Sequence, residues 1–212
     1  MAELDATSGA LEAECVVGDD GFARCPWLGA SGQMAPDYRD YHDHEWGRPV
    51  HDEQALLERL CLEAFQSGLS WLTILRKRAA FREEFAAFVP EEVAAYGADD
   101  VERLMQQASI VRNRRKIDAT IANARATIAL RESGGLGDLF WSARADHPGR
   151  ARPVAMSEVP ASTPASAALA KTLKSAGFAH LGPTTVYAAM QACGVVDDHL
   201  AGCFRAGDTA TS

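Results

Sequence analysis

The chain has 212 residues, 47% of them apolar and 24% charged, with a formal net charge of −8. These proportions suit one folded soluble domain, or two small ones sharing a core, and exclude wholesale disorder, collagen and coiled-coil architecture. No apolar run approaches the roughly 18 residues a membrane-spanning helix needs, so no membrane partner is expected.

The first 23 residues hold six acids and no Lys or Arg. Six of the eight surplus negative charges therefore sit at one end, and the overall sign does not exclude a polyanionic partner. Residues 1–22 read as a loose acidic tail, residues 23–206 as one folded domain, and residues 207–212 as a loose end. No basic stretch precedes an apolar one at the start, and five cysteines at irregular spacings suit a reducing compartment, so the cytoplasm is expected.

Helical periodicity dominates the remainder, and no strand pattern competes with it; the expected class is all-α. Trp27, Tyr38, Tyr41, Asp43, Glu45 and Trp46 crowd a stretch without apolar periodicity, read as a loop that either lines a site or straps the helical body. Leu56, Leu57, Leu60, Cys61, Ala64 and Phe65 form a buried helix stripe, with Glu63 at its edge, facing either a cleft or solvent. Gln66 to Trp71 breaks that helix with a glycine and sets Leu69 beside Trp71, as a wedge beside a stacking platform would, or as a plain turn would. Phe81, Phe85 and Phe88 mark a second helix.

Pro90 with Glu91 and Glu92 begins another, and Asp99 with Glu102 the next. A tight connection at Ala108 to Asn113 then leads into a long helix through Ile117, Ile121, Ala124 and Ile128, ending at Gly134 and Gly135. Arg112, Arg114, Arg115 and Lys116 beside that helix start form either a phosphate site or a solvated basic face. Thr163 and Pro164 cap a helix stopped by Gly177, and Thr184 opens a last one ended by Gly194.

His199 and Cys203 are spaced i, i+4, which places a nitrogen and a thiolate on one helical face; Cys25 and His42 could complete a tetrahedral set. Either pair alone is a weak signal, because a free cysteine is more often a small buried hydrophobe. Four protein ligands would leave no open position for a substrate water, so such a metal would be structural.

Five motifs in order carry a family resemblance: R-C-P-W at Arg24–Trp27, Y-x-x-Y-H-D-x-E-W-G at Tyr38–Gly47, C-L-E-x-x-Q-x-G-L-S-W at Cys61–Trp71, D-V-E-R-L at Asp100–Leu104, and M-Q-A-C-G-x-V-x-D-H-x-x-G-C at Met190–Cys203. The chain resembles, from Ala23 to Phe204, the bacterial DNA-3-methyladenine glycosylase I family, a zinc-containing branch of the helix-hairpin-helix base-excision glycosylases. The resemblance implies one structural zinc on Cys25, His42, His199 and Cys203, joining segments 23–52 and 151–206 around a helix-hairpin-helix part at about 53–150. It implies a flipped 3-methyladenine held by the catalytic Glu63 with Tyr38, Tyr41 and Trp71, near Trp27 and Trp46. Gly68 and Leu69 would plug the emptied stack, and Ser109, Val111, Arg112, Arg114, Arg115 and Lys116 would hold double-stranded alkylated DNA. A monomer is expected, since no oligomeric interface is legible in the sequence.

Ser109 stands where this hairpin usually has glycine, and a positive φ there would strain serine. The family lacks the aspartate that many helix-hairpin-helix glycosylases use after the hairpin, and Ala119 to Gly137 holds none. Monofunctional hydrolysis leaving an abasic site is therefore expected. The competing expectation is a zinc-stabilised, non-catalytic DNA-binding or damage-sensing module.

Overall fold

The computed structural model describes residues 14–144 and 151–207. Among them the helices are α1 (Pro36–His44), α2 (Glu53–Gln66), α3 (Trp71–Glu84), α4 (Pro90–Ala94), α5 (Ala98–Gln106), α6 (Arg114–Leu130), α7 (Gly135–Ser142), α8 (Pro164–Ser175) and α9 (Pro183–Ala192). The class is all-α, save a small ribbon in which β1 (Val16–Val17) pairs antiparallel with β2 (Ala23–Arg24). Two-residue strands have no periodicity to read. Part of the segment expected to be a loose tail is thus folded: the Glu14 N–H donates to the Val154 carbonyl at 2.8 Å, and Gly18 donates to Phe22 across the ribbon. Residues 1–13 and 208–212, in the expected loose ends, lie outside the described residues.

α2 is the axis of the fold. Asp52 caps its first turn by accepting from the Ala55 N–H at 2.8 Å, and Leu56, Leu57, Leu60, Cys61 and Phe65 are fully buried on the stripe the sequence marked. α3, α6, α7 and α9 pack around it. A single hydrophobic core runs from Tyr41 to Val196, with a small satellite around Cys25, Leu200 and Cys203.

The helix expected through Phe88 ends at Glu84. Ala86, Ala87 and Phe88 then adopt positive φ of 48°, 52° and 60°, a left-handed turn without glycine that costs roughly 1–2 kcal/mol per residue. Complete burial of Phe85 and Phe88, stacked at 5.6 Å, offsets that cost, as does the Gln54 amide donating to the Ala87 carbonyl at 2.7 Å. The long helix also stops early, at Leu130. Gly134 is not its end but the left-handed entry (φ 104°) to α7, a helix the sequence pattern did not separate.

The largest departure is at Pro36–His44, expected as a loop. It is helical, opened by Pro36 with Asp37 in the first turn. Its apolar face consists of Tyr38, Tyr41 and His42, spaced i, i+3, i+4, which a count of aliphatic residues overlooks. The chain then crosses α9 so closely that a Cβ on Gly194 would lie 2.7 Å from the Gly47 carbonyl oxygen. Only glycine fits there.

Candidate functional site

A cavity of about 280 Å³ opens between α1, α2, the start of α3, α9 and the segment 156–161. α1 contributes Tyr38 and Tyr41, α2 contributes Glu63 and Gln66, and Trp71 begins α3; Trp27 and Trp46 complete an aromatic enclosure. The rings brace one another: Trp27 meets Tyr38 at 5.0 Å and Trp46 at 5.2 Å, and Tyr41 meets Trp71 at 5.3 Å. All six expected pocket residues line this one space. The indole N–H of Trp71 is buried without a hydrogen-bond partner.

Glu63 is only 5% exposed. Burial pushes its carboxyl up to about 8, with the Arg59 cation opposing the rise. Desolvation disfavours the charged form of this carboxyl, and positive charge nearby favours it. Burial and then the Glu63 charge push the Tyr38 hydroxyl up to about 12.

Sequence patterning did not single out the opposite wall, formed by Met156, Val159, Pro160, Tyr187, Gln191 and Asp198. Asp198, 3% exposed, accepts from the Tyr187 hydroxyl at 2.6 Å and the Gln191 amide at 2.7 Å. Gln191 and Asp198 fall inside the last motif, which was the available signal for them.

Cys25, His42, His199 and Cys203 are buried with their ligand atoms all within 4.8 Å of one another. Cys203 Sγ lies 3.5 Å from His42 Nε2 and 3.5 Å from His199 Nδ1, and Cys25 Sγ lies 3.8 Å from His199 Nδ1. His42 Nδ1 is 2.8 Å from Asp43 Oδ1, an arrangement that turns Nε2 toward the cluster. Arg24 grips the same carboxylate (Nε to Oδ1 2.8 Å, Nη2 to Oδ2 2.7 Å) and binds Asp20 through both Nη atoms at 2.8 Å. Neither Arg24 nor Asp20 was a sequence candidate. The geometry and donor types fit a tetrahedral divalent metal, and its neighbours already orient the ligands.

The turn 67–70 places Leu69, 43% exposed, at its tip. Gly68 makes the turn at φ +83°, and Ser70 caps α3 by accepting from the Thr73 N–H. Lys116 corrects an expectation: it is 7% exposed and donates to the Phe65 and Ser67 carbonyls at 2.8 and 2.7 Å. Its ammonium binds the end of α2 and is not offered to a phosphate. Arg112 and Arg115 are exposed, whereas Arg114 pairs with Glu102 at 2.6 Å. Val111 is half-buried, and Ser109 is exposed without positive φ; Lys77 binds the Ala108 and Ser109 carbonyls at 3.1 and 2.9 Å.

A helical body holds a buried carboxyl in a cage of aromatic rings beside a protruding apolar turn, an arrangement that offers ring faces and one ionisable group to a planar ligand. A family model described as methyladenine glycosylase matches residues 31–206, and the chain belongs to that family. It is 46% identical over 181 residues to DNA-3-methyladenine glycosylase 1 of Escherichia coli (strain K12), covering 85% of this chain and 95% of that protein. It is 43% identical over 181 residues to DNA-3-methyladenine glycosylase of Haemophilus influenzae (strain ATCC 51907 / DSM 11121 / KW20 / Rd), covering 85% and 96%. A crystal structure of 3-methyladenine DNA glycosylase I superposes with a TM-score of 0.81 at 46% identity, covering 85% of this chain and 98% of that one. A structure of the Staphylococcus aureus enzyme, determined to explain its recognition of 3-methyladenine, superposes with a TM-score of 0.77 at 38% identity, covering 81% and 92%.

Proposed function

We infer that this protein is a DNA-3-methyladenine glycosylase, which extrudes the alkylated base from DNA and hydrolyses its N-glycosidic bond. The observation that carries this reading is the buried Glu63 carboxyl among Trp27, Tyr38, Tyr41, Trp46 and Trp71 in one cavity. An adenine alkylated at N3 carries delocalised positive charge, which aromatic faces attract more strongly than they attract neutral adenine. Its arrival favours ionised Glu63, which accepts a hydrogen bond from the base edge; a neutral base leaves that buried carboxyl poorly satisfied. The charged base departs neutral from an oxocarbenium-like C1′, so little acid catalysis is needed and an abasic site remains.

The substrate is double-stranded alkylated DNA. Leu69 is the wedge that fills the emptied stack, and Lys116 fixes its turn from beneath. Extrusion costs a few kcal/mol, offset by phosphate contacts at two helix N-termini flanking the wedge. One is the helix-hairpin-helix of α5 and α6, with Arg112 and Arg115 exposed and Asn113 capping α6. The other is the hairpin of α8 and α9. It begins α9 at Pro183 without a side-chain cap, and Lys171, Lys174 and His180 share its groove with Ser67 of the wedge turn.

A structural zinc on Cys25, His42, His199 and Cys203 supplies cross-linking of the two chain ends. A tetrahedral zinc with two sulfur and two nitrogen ligands has S···N edges of about 3.6 Å, against 3.5–3.8 Å between these atoms. The five cysteines are free, in keeping with the cytoplasm, and every residue lining the cavity comes from one chain, in keeping with a working monomer.

The test is chromatographic detection of bases released from DNA treated with a methylating agent. The intact protein releases 3-methyladenine, and Glu63→Ala at equal concentration releases much less. A folded, metal-loaded sample that binds duplex but releases nothing would instead support a non-catalytic damage-sensing module.

A further inference from the structure

Arg59 lies one helical turn before Glu63 on α2 and is 6% exposed. Its Nη2 donates to Glu45 Oε2 at 2.6 Å, its guanidinium carbon sits 5.7 Å from the centroid of the Tyr41 ring, and its Nη1 is buried with no hydrogen-bond partner. Glu45 is shared with Arg78 Nη1, also at 2.6 Å, while Arg78 and Arg82 both reach Glu58. The cluster thus holds three arginines against two glutamates, and within it the buried Arg59 Nη1 lacks an acceptor.

We propose that Arg59 is a positioning residue that acts through Glu63, its buried cation serving as the counter-charge that lets the carboxylate form when a positively charged base is enclosed. This deepens the proposed glycosylase reading and rests on it. A buried guanidinium with an unmet donor lowers the cost of a new anion nearby, and spacing i, i+4 on one helix brings the two side chains to the same face. The price of a nearby cation, repulsion of the charged base, is limited because Glu45 already neutralises part of it.

The other groups around Glu63 do not supply this counter-charge. α1 brings Tyr38 and Tyr41, α3 brings Trp71, and the end of α9 brings the Cys193 thiol, pushed up to about 12 chiefly by burial. Asp198 lies across the cavity with the wrong sign, and Lys116 of α6 is engaged by the Phe65 and Ser67 carbonyls. Arg59 is the one buried cation among these with a donor to spare.

The experiment is a carbon-13 NMR titration of the Glu63 carboxyl in the full chain, alongside single-turnover excision across the same pH range. In the intact protein the titration midpoint falls near the value to which burial pushes it, about 8, and the apparent second-order rate rises through that pH. Arg59→Met moves both midpoints up by about one unit or more, and Arg59→Lys largely restores them. Glu45→Gln, which removes the anion competing for Arg59, moves the Glu63 midpoint the opposite way and serves also if Arg59→Met fails to fold. Folded variants with an unchanged midpoint, or both substitutions shifting it in the same direction, overturn the proposal. Opposite shifts without any release of 3-methyladenine would uphold the Arg59–Glu63 coupling while sinking the glycosylase reading.

Discussion

Glu63 shows how much one residue depends on its surroundings. Its carboxyl is raised from an ordinary 4.5 to about 8 by burial, so between those values the folded chain keeps a proton that the unfolded chain has lost. The stability associated with the neutral form is complete below about 4.5 and is lost as pH rises through about 8. Glu63→Gln should therefore gain thermal stability over the native protein as pH rises from 5 to 8.5, by a few kcal/mol at most, at about 1.4 kcal/mol per pH unit. A stability difference that does not change with pH would contradict this. Ser109 gives the opposite lesson: without positive φ it is not strained, and Ser109→Gly should leave duplex affinity unchanged within about twofold in an equilibrium binding assay. Helix position and family resemblance marked Glu63, and resemblance alone marked Ser109, but only the backbone angle and the burial decide what each costs.

Among the elements, the turn between α2 and α3 and the start of α6 form one unit through Lys116. Lys116→Met leaves the Phe65 and Ser67 carbonyls without their donor, a loss of about 1–3 kcal/mol, and lets the Leu69 turn drift. Denaturant unfolding should show the first effect and weaker extrusion of a mismatched or alkylated base the second. Arg112→Ala with Arg115→Ala should instead weaken binding to all duplexes alike and flatten its salt dependence, as should Lys171→Ala with Lys174→Ala. An unchanged salt slope in either double variant removes that hairpin from the DNA interface. The basic run 112–116 was plain in the sequence, yet its members part company in three dimensions: Arg114 pairs with Glu102, Lys116 turns inward, and Arg112 and Arg115 stay exposed. Helix α1 was hidden for a related reason, because its buried face is built from tyrosine and histidine among acids and arginine.

For the whole molecule, Cys25, His42, His199 and Cys203 bring residues near 25 and 42 to residues near 200, and a metal held there would close most of the chain into one loop. Metal analysis should find about one zinc per chain. Chelation, or His199→Ala, should lower the melting temperature and loosen the N-terminal ribbon and α1 before it disturbs α2 to α6, which hydrogen exchange would resolve. A stable, fully folded, metal-free preparation would refute the structural role. The sequence by itself determined the helical class, the α2 stripe and most helix starts, because periodicity and capping are local properties; the pocket residues and the Cys/His set came from the family resemblance, since spacing alone left both open. Tertiary structure alone decided that Pro36–His44 is a helix, that Lys116 is structural, that Asp198, Tyr187 and Gln191 build the far wall, and that Arg59 is buried with a donor to spare. Burial, charge pairing and desolvation depend on residues distant in the chain, so no local pattern encodes them.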